Sequence, residues 1–393
     1  MKAHSSLNES PGTRRLSGRN LVWGVIFLVL LGVSFLIITQ SARGELSGQG
    51  DPVVELNEPP LFPERNSLLE QQIDGAAVRI ERSTQAALDK FVYFPAIYHS
   101  SGELSVQPAN RQESLAFYRK YYLTSIVSPG WSGNVSACNP GTTSLAFRDS
   151  IALRINYFRA MAGVPAKVIM LDAFNQKAQQ AALMMSANSA LSHNPPSNWK
   201  CYTDPGREAA GSSNLALGGY GLDALRMYMQ DYGSGNTAAG HRRWILYPQT
   251  QNFGTGDIPG GNGYYAANDL WVFDSHIWDT RPETREAFVA WPPPGYVPYT
   301  VVYQRWSFSY AGADFTNAAV SMTENGANIP VTCYSPVNGY GENTLVWIRA
   351  GANDGSYWPK PPADTTYIVT VSNVVIGSSP RSFQYTVIVF DPG

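Results

Sequence analysis

The sequence reads Leu-Ser-His at residues 191–193, Ser-Asn-Leu-Ala at residues 213–216 and Gly-His-Arg-Arg-Trp at residues 240–244. Each of these polar signatures begins where a helix-like apolar pattern stops. We therefore expect each in a loop or at a helix end that a scaffold holds in place. Two histidines so distant in sequence can meet only through the fold, and convergent histidines indicate a metal or acid–base site.

The residues around the signatures predict helices flanking a small sheet. Residues 144–163 form a helical pattern that ends at Gly163, a natural C-terminal cap, and Asp172 is placed to cap the next helix. A third helix is expected over residues 222–232, and the glycine- and aromatic-rich residues 252–273 predict short strands. This order of elements predicts an α+β fold.

The order and spacing of these segments resemble the CAP superfamily (cysteine-rich secretory proteins, antigen 5 and pathogenesis-related proteins; SCP-like), especially its bacterial members. The resemblance covers residues 144–275. It begins at Asn156 and Arg159, similar to the Asn-x-x-Arg of the family's first helix, and ends at residues 253–256, similar to its Val-Gly-x-Gly segment. It implies a CAP-type α-β-α sandwich with a central cavity.

In this family two His and two Glu line the cavity and, in some members, bind a divalent cation. The resemblance implies that His193 and His241 are the two histidines and that Asp231 is a shorter replacement for one Glu. Ser213 stands in place of the other Glu, and Glu208 restores that charge only if its loop bends inward. The implied ligand cavity consists of His193, Ser213, Asn214, Asp231, His241 and Arg242.

The implied cation is zinc or calcium, and no other cofactor is expected. Two imidazoles and the Asp231 carboxylate suffice for an open zinc-type site with water in the fourth position. The serine at position 213 weakens a calcium-type site more, because hard cations bind several anionic oxygens. The structural alternative is that His193 and His241 each bond main-chain carbonyls at a helix end.

The neighbours of the histidines are given structural roles. Ser213 is expected to be a local cap, since no Gly-x-Ser-x-Gly elbow surrounds it. Trp244 is expected in the core. At most one of Arg242 and Arg243 is expected to face the cavity, while the other pairs with an acid such as Asp231 or stays in solvent.

Three cysteines fit an oxidising compartment. Cys138 lies just before the first CAP-like helix and Cys201 just after the first histidine loop, so we expect a disulfide between them. Cys333 is then left over, and in a strand it is expected to be a small buried apolar residue. No cysteine spacing is of the metal-binding type.

An uncharged apolar run from Leu21 to Ile38 predicts a membrane anchor of near-minimal length. Basic residues precede the run and mainly acidic residues follow it, so the positive-inside rule places residues 1–20 in the cytoplasm and the rest outside. A cleaved signal peptide, which would give a secreted protein, is the alternative. Against it, the run exceeds a usual apolar region of roughly 7–15 residues and no clean Ala-x-Ala site follows.

The chain is expected to contain six segments. They are a cytoplasmic tail (1–20), an anchor (21–39), a Gly-, Pro- and acid-rich linker (40–62), a helical stalk or accessory segment (63–140), the CAP domain (141–290) and an all-β domain (291–393). Within the stalk, helices are predicted over residues 66–91 and 111–122.

Residues 291–295, Trp-Pro-Pro-Pro-Gly, are expected to form a stiff joint before the all-β domain. The strands then predicted at residues 306–310, 344–348, 366–371 and 383–389 resemble an immunoglobulin-like β-sandwich, although the Cys…Trp…Cys spacing is absent.

Only 15% of the residues are charged and the net charge is −2, which argues against a nucleic-acid-binding protein. We expect a membrane-anchored extracytoplasmic protein that binds a lipid, a cell-wall component or a surface protein rather than an enzyme. The rival hypothesis is a metal-dependent peptidase or esterase in which His193 and His241 hold the cation and Asp231 or Glu208 orients water. A third is a structural head of an envelope complex, with residues 63–135 as its partner surface.

Overall fold

The computed structural model describes residues 55–56 and 102–393, all within one compact unit. The predicted cytoplasmic tail, the anchor and the helix over residues 66–91 lie outside the described residues. Within the described ranges, none of the helices has the length and hydropathy that a bilayer crossing requires.

The helices are α1 (Arg111–Phe117), α2 (Leu145–Ala162), α3 (Asp172–Asn188), α4 (Asp204–Gly211), α5 (Gly221–Gln230) and α6 (Gly240–Ile245). The first strands are β1 (Glu55–Leu56), β2 (Ile169–Met170), β3 (Ser213–Leu217), β4 (Asn252–Ile258), β5 (Ala267–Trp271), β6 (Val289–Trp291) and β7 (Gly295–Pro298). The others are β8 (Arg305–Ser309), β9 (Ala319–Glu324), β10 (Ala327–Ile329), β11 (Val331–Cys333), β12 (Thr344–Arg349), β13 (Thr365–Ile376) and β14 (Ser379–Phe390).

Strands β1–β5 and helices α2–α6 form a layered unit that we call the N-terminal sandwich. Its sheet has the strand order β1-β3-β5-β4-β2, with antiparallel pairs except for parallel β2 and β4. Helices α3 and α4 cover one face, while α2 and α5 belong to the apolar core on the other. Helices on both faces of one sheet confirm the predicted α+β class.

Small residues let α3 lie directly on the sheet. Ala178, Ala181 and Ala182 in this helix are fully buried. Opposite them is Gly256, where a Cβ atom would lie 2.1 Å from main-chain atoms of Ala178. The alanine-rich pattern therefore reflects close packing of helix and sheet backbones.

The ends of the helices follow local capping rules, with one difference from the prediction. Ser144 accepts a hydrogen bond from the N–H of Phe147 at the start of α2, and Gly163 ends that helix with φ of 75°. Asp172, however, is the first residue of α3 and caps nothing with its side chain. Its carboxylate lies in the first turn, where the helix dipole favours negative charge.

The remaining strands, β6–β14, form the C-terminal β-module. One sheet has the order β11-β12-β8-β6 and the other the order β10-β9-β13-β14-β7. Aromatic and apolar side chains from both sheets, such as Trp306, Phe308, Tyr367 and Val387, are buried in the core. All four strand predictions for this region are confirmed. Residues 292–294 connect β6 to β7, so they link the two sheets of the module to each other.

The N-terminal sandwich and the C-terminal β-module share one apolar core. Phe158 of α2 makes an edge-to-face contact with Trp291 of β6 at a centroid distance of 5.2 Å. The described part of the predicted stalk joins them as well. Pro108 O accepts a hydrogen bond of 2.6 Å from the N–H of Tyr296, and Arg111 pairs with Asp364 at 2.8 Å.

The cysteines show one confirmed expectation and one error. Cys138 and Cys201 form the predicted disulfide. Cys333 was expected to be buried, but its thiol is free and the residue is exposed. The reason is its position in β11, a three-residue strand at the edge of its sheet.

Candidate functional site

The centre of the candidate site is a buried pair formed by Asp231 and His241. Asp231 follows α5 in the left-handed conformation, with φ of 55°, and His241 lies in the first turn of α6. Oδ1 of Asp231 lies 2.7 Å from Nδ1 of His241, and Oδ2 accepts a hydrogen bond of 3.1 Å from the N–H of Arg242. Both members of the pair are fully buried.

This pairing defines which ring nitrogen of His241 is available. A carboxylate accepts hydrogen bonds, so Asp231 holds a ring proton on Nδ1, and in the neutral imidazole Nε2 carries the lone pair. Nε2 has no hydrogen-bond partner among the described residues, although it is buried. The ring also stacks on Tyr228 at a centroid distance of 5.3 Å, and the main-chain oxygen of His241 accepts a 3.1 Å hydrogen bond from Nδ2 of Asn214.

A buried polar network supports Tyr228 beneath the imidazole. The Tyr228 hydroxyl donates to Oδ1 of Asn268 at 2.8 Å, and Nδ2 of Asn268 donates to Oδ1 of Asp257 at 2.8 Å. Asp257 also accepts a 2.6 Å hydrogen bond from the N–H of Gly221. Burial raises the pKa of Asp257, and its hydrogen bonds from Thr255, Gly221 and Asn268 offset part of that rise. Asn268 and Asp257 were not predicted, because isolated Asn and Asp in a strand carry no pattern.

Two neighbouring arginines connect α6 to its surroundings. Arg242 donates from Nε to Met229 O at 2.7 Å and from Nη1 to Arg305 O at 2.9 Å. Arg243 donates from Nη2 to Glu342 O at 2.8 Å. Burial lowers the pKa of each to about 10, so both stay charged at neutral pH. The expectation that one would pair with an acid or reach solvent is wrong, because both guanidinium groups bind buried main-chain oxygens.

A third buried arginine binds the chain that follows α6. Arg159, in the Asn-x-x-Arg segment of α2, is fully buried, and burial lowers its pKa to about 9. Its guanidinium donates to five main-chain oxygens, those of Pro165, Ile245, Tyr247, Pro248 and Thr250. Arg159 therefore holds the C-terminal end of the helix that carries His241.

The other predicted site residues occupy different elements. His193 lies in the loop after α3, with Nδ1 2.6 Å from Ala210 O. Glu208 of α4 pairs with Lys177 at 2.7 Å. Ser213 is the first residue of β3 and is fully buried, so the expected capping role belongs to Ser212, which ends α4.

The three polar signatures thus differ in structure. The first, residues 191–193, lies in a loop as expected. The second, residues 213–216, is a strand, and the third, residues 240–244, is a short helix. Trp244 is fully buried, as predicted.

The predicted ligand residues do not form a cluster that could coordinate a cation in the described part of the chain. Nε2 of His241 is a suitable nitrogen donor, but both oxygens of Asp231 are engaged in hydrogen bonds that orient the imidazole. Among residues 55–56 and 102–393, no three His, Cys, Asp or Glu side chains are grouped so as to hold a metal ion. The shared cation site remains a prediction from the resemblance.

Comparison with known proteins locates a family match around this site. Residues 153–275 match the model of the cysteine-rich secretory protein family, CAP. No curated protein matches the chain. Two solved structures are similar to part of it, both of PcoC, a methionine-rich copper resistance protein from Escherichia coli, and one of them is the selenomethionine form.

The two PcoC structures are each 13% identical to the chain. One match covers 25% of this chain and 92% of that chain with a TM-score of 0.19, and the other covers 28% and 99% with a TM-score of 0.20. Scores this low carry no argument about fold or function. The match to the CAP family model covers residues 153–275, and the Asp231–His241 pair lies inside it.

Proposed function

We propose that this protein is an extracytoplasmic binding protein whose CAP domain receives its ligand at Nε2 of His241. The observation that carries the proposal is the state of that nitrogen, which is buried, oriented by Asp231 and unpartnered among the described residues. Leaving a buried polar atom unpaired costs about 1–3 kcal/mol, and a ligand that donates a hydrogen bond there recovers this energy.

The chemistry of the nitrogen restricts the ligand. A neutral imidazole Nε2 accepts from a hydroxyl, an amide N–H or an ammonium group. Cell-wall components, lipid headgroups and surface proteins all present such donors, so the chemistry of the nitrogen does not choose among these classes. A ligand without a hydrogen-bond donor is not.

The proposed location rests on two features outside the site. The apolar run over residues 21–39, with basic residues before it and acidic residues after it, favours a single-pass anchor with the CAP domain outside the cytoplasm. The disulfide between Cys138 and Cys201 supports an oxidising compartment.

The binding proposal is tested on the full chain in detergent micelles against cell-wall sacculi, vesicles of envelope lipids and solubilised envelope proteins. His241→Asn is the informative variant, because its amide N–H replaces Nδ1–H towards Asp231 while Nε2 is lost. His276→Asn, at an exposed His–Asp pair, is the matched control. We expect binding to one fraction that weakens about tenfold in His241→Asn only.

Absence of binding to every fraction, or equal binding by both variants, would overturn the proposal.

The Asp231–His241 pair also favours a second function, because a carboxylate-oriented imidazole is the arrangement of a general base in hydrolysis. Peptidase and esterase panels, combined with metal analysis of the purified protein, separate the two. Turnover that is lost in both His193→Ala and His241→Asn would favour the hydrolase.

A further inference from the structure

The segment that carries Asp231 is bound by a residue of the C-terminal β-module. This segment, residues 231–239, connects α5 to α6. Arg305 of β8 donates to the main-chain oxygens of Asp231, Gly233 and Asn236, the last two at 2.6 and 2.7 Å. Arg305 is almost completely buried, so these hydrogen bonds are shielded from water.

Asp354 fixes Arg305 in this position from within the same module. The carboxylate of Asp354 forms an ion pair with the Arg305 guanidinium and also accepts a 3.1 Å hydrogen bond from the N–H of Gly233. Gln230, at the end of α5, donates to Gly355 O at 3.0 Å. The module thus binds both the end of α5 and the residues that follow it.

These contacts stabilise Asp231, the member of the pair whose backbone conformation is energetically unfavourable. Asp231 has φ of 55°, a left-handed conformation that a residue with a Cβ adopts at a cost of about 1–2 kcal/mol. The hydrogen bond from Arg305 to Asp231 O stabilises that conformation. The side chain of Asp231 in turn determines the orientation and tautomer of His241.

We propose that Arg305 is a positioning residue for the Asp231–His241 pair, which makes the C-terminal β-module a working part of the CAP site rather than a separate spacer or adhesive domain. The proposal rests on the proposed function for the importance of His241. The positioning itself is measured without any ligand, so the two can fail separately.

The experiment follows the ring of His241 by NMR in the full chain labelled with ¹⁵N-histidine, and His241→Asn assigns the resonance. Arg305→Met removes the positioning cation. Arg349→Met is the matched control. Arg349 lies in the same module, but it forms its ion pair with Glu324, at 3.3 Å, and not with residues 231–239. Arg305→Lys is the conservative variant.

We expect the wild type and Arg349→Met to share a slowly exchanging Nδ1–H resonance. In Arg305→Met this proton should exchange about tenfold faster, and the Nε2–H tautomer should become detectable. Arg305→Lys should restore part of the slow exchange. A folded Arg305→Met protein with an unchanged His241 resonance would overturn the proposal.

Asp354→Asn keeps the test decisive if Arg305→Met does not fold. This residue is partly exposed, and its loss frees Arg305 without removing it. We expect a smaller change in the same direction, and an unchanged ring resonance would again contradict positioning. Failure of the envelope-binding assay, with these ring effects intact, would overturn the proposed function alone.

Discussion

Arg242 and Arg305 each donate hydrogen bonds across the boundary between the N-terminal sandwich and the C-terminal β-module. Nη1 of Arg242 donates to the main-chain oxygen of Arg305 at 2.9 Å, while the guanidinium of Arg305 donates to the main-chain oxygen of Asp231. Each region thus supplies a buried cation to the other's backbone. Because neither cation can be left unpaired without a large desolvation cost, the two regions should unfold together.

The first prediction concerns this exchange. Arg242→Met removes donors from buried oxygens of both regions, and we expect a loss of about 3–5 kcal/mol in the free energy of unfolding. Urea denaturation followed by tryptophan fluorescence measures it. Arg349→Met should cost less than about 1 kcal/mol as a surface-pair control. Two separate transitions in the wild-type protein would contradict the coupling of the regions.

The second prediction concerns the disulfide. Cys138 and Cys201 are 63 residues apart, and closing a loop of that length restricts the unfolded chain enough to stabilise the fold by about 4 kcal/mol in the chain-entropy description. The double variant Cys138→Ser, Cys201→Ser should therefore melt well below the wild type in calorimetry. Cys333→Ser should melt like the wild type, and the idea is lost if added reductant leaves the wild-type melting temperature unchanged.

The third prediction tests the contact between α3 and β4. Gly256→Ala places a methyl group 2.1 Å from the backbone of Ala178, so helix and strand must separate. Overpacking of this kind costs about 1–3 kcal/mol. Gly235→Ala is the control, because nothing lies within 4 Å of its added Cβ. Equal stabilities of the two variants in urea unfolding would show that the packing is looser than described.

The fourth prediction is a pH dependence of stability. Asp269 is fully buried in β5, and burial raises its pKa well above the usual range, more than the Ser213 hydroxyl lowers it. The folded protein therefore binds this proton more tightly than the unfolded chain does. Its stabilising contribution is complete below the unfolded pKa of about 3.9 and is lost as the pH rises through the folded pKa.

Asp269→Asn replaces the carboxyl group by an amide that does not ionise, so the loss of stability with rising pH disappears. We expect the variant to be more stable than the wild type at pH 7–8, with the difference shrinking as the pH falls towards about 4. Melting temperatures measured across that range test the prediction. Asp279→Asn, at an exposed position, provides the comparison. Parallel pH profiles of wild type and Asp269→Asn would rule out a buried, protonated carboxyl at this position.

Much of the scaffold followed from local sequence. The helical pattern over residues 144–163, which ends at Gly163, predicted α2 closely, because helical periodicity and a glycine cap are local properties. Four strands of the C-terminal β-module, β8, β12, β13 and β14, were predictable from alternation and turn residues. The disulfide was expected from the positions of Cys138 and Cys201 beside elements that the resemblance had already ordered.

The site was predicted only as a set of residues. The resemblance selected His241 and Asp231, and the structure joins them by a hydrogen bond of 2.7 Å. It did not indicate that Asp231 would use both oxygens to orient its neighbours. It also did not indicate that Arg242 and Arg243 would bind main-chain oxygens of the β-module, or that Cys333 would be exposed.

The amino-acid sequence alone was enough to predict helices α2, α3 and α5, four strands of the C-terminal β-module and the disulfide, because each depends on neighbours in the chain or on a recognisable order of motifs. Tertiary structure alone decided which atoms meet. Arg242 and Arg305 are 63 residues apart, and a guanidinium that binds main-chain oxygens can choose almost any partner, since every residue carries one. Such a contact leaves no pattern in sequence, and it is specified only when the whole core is packed.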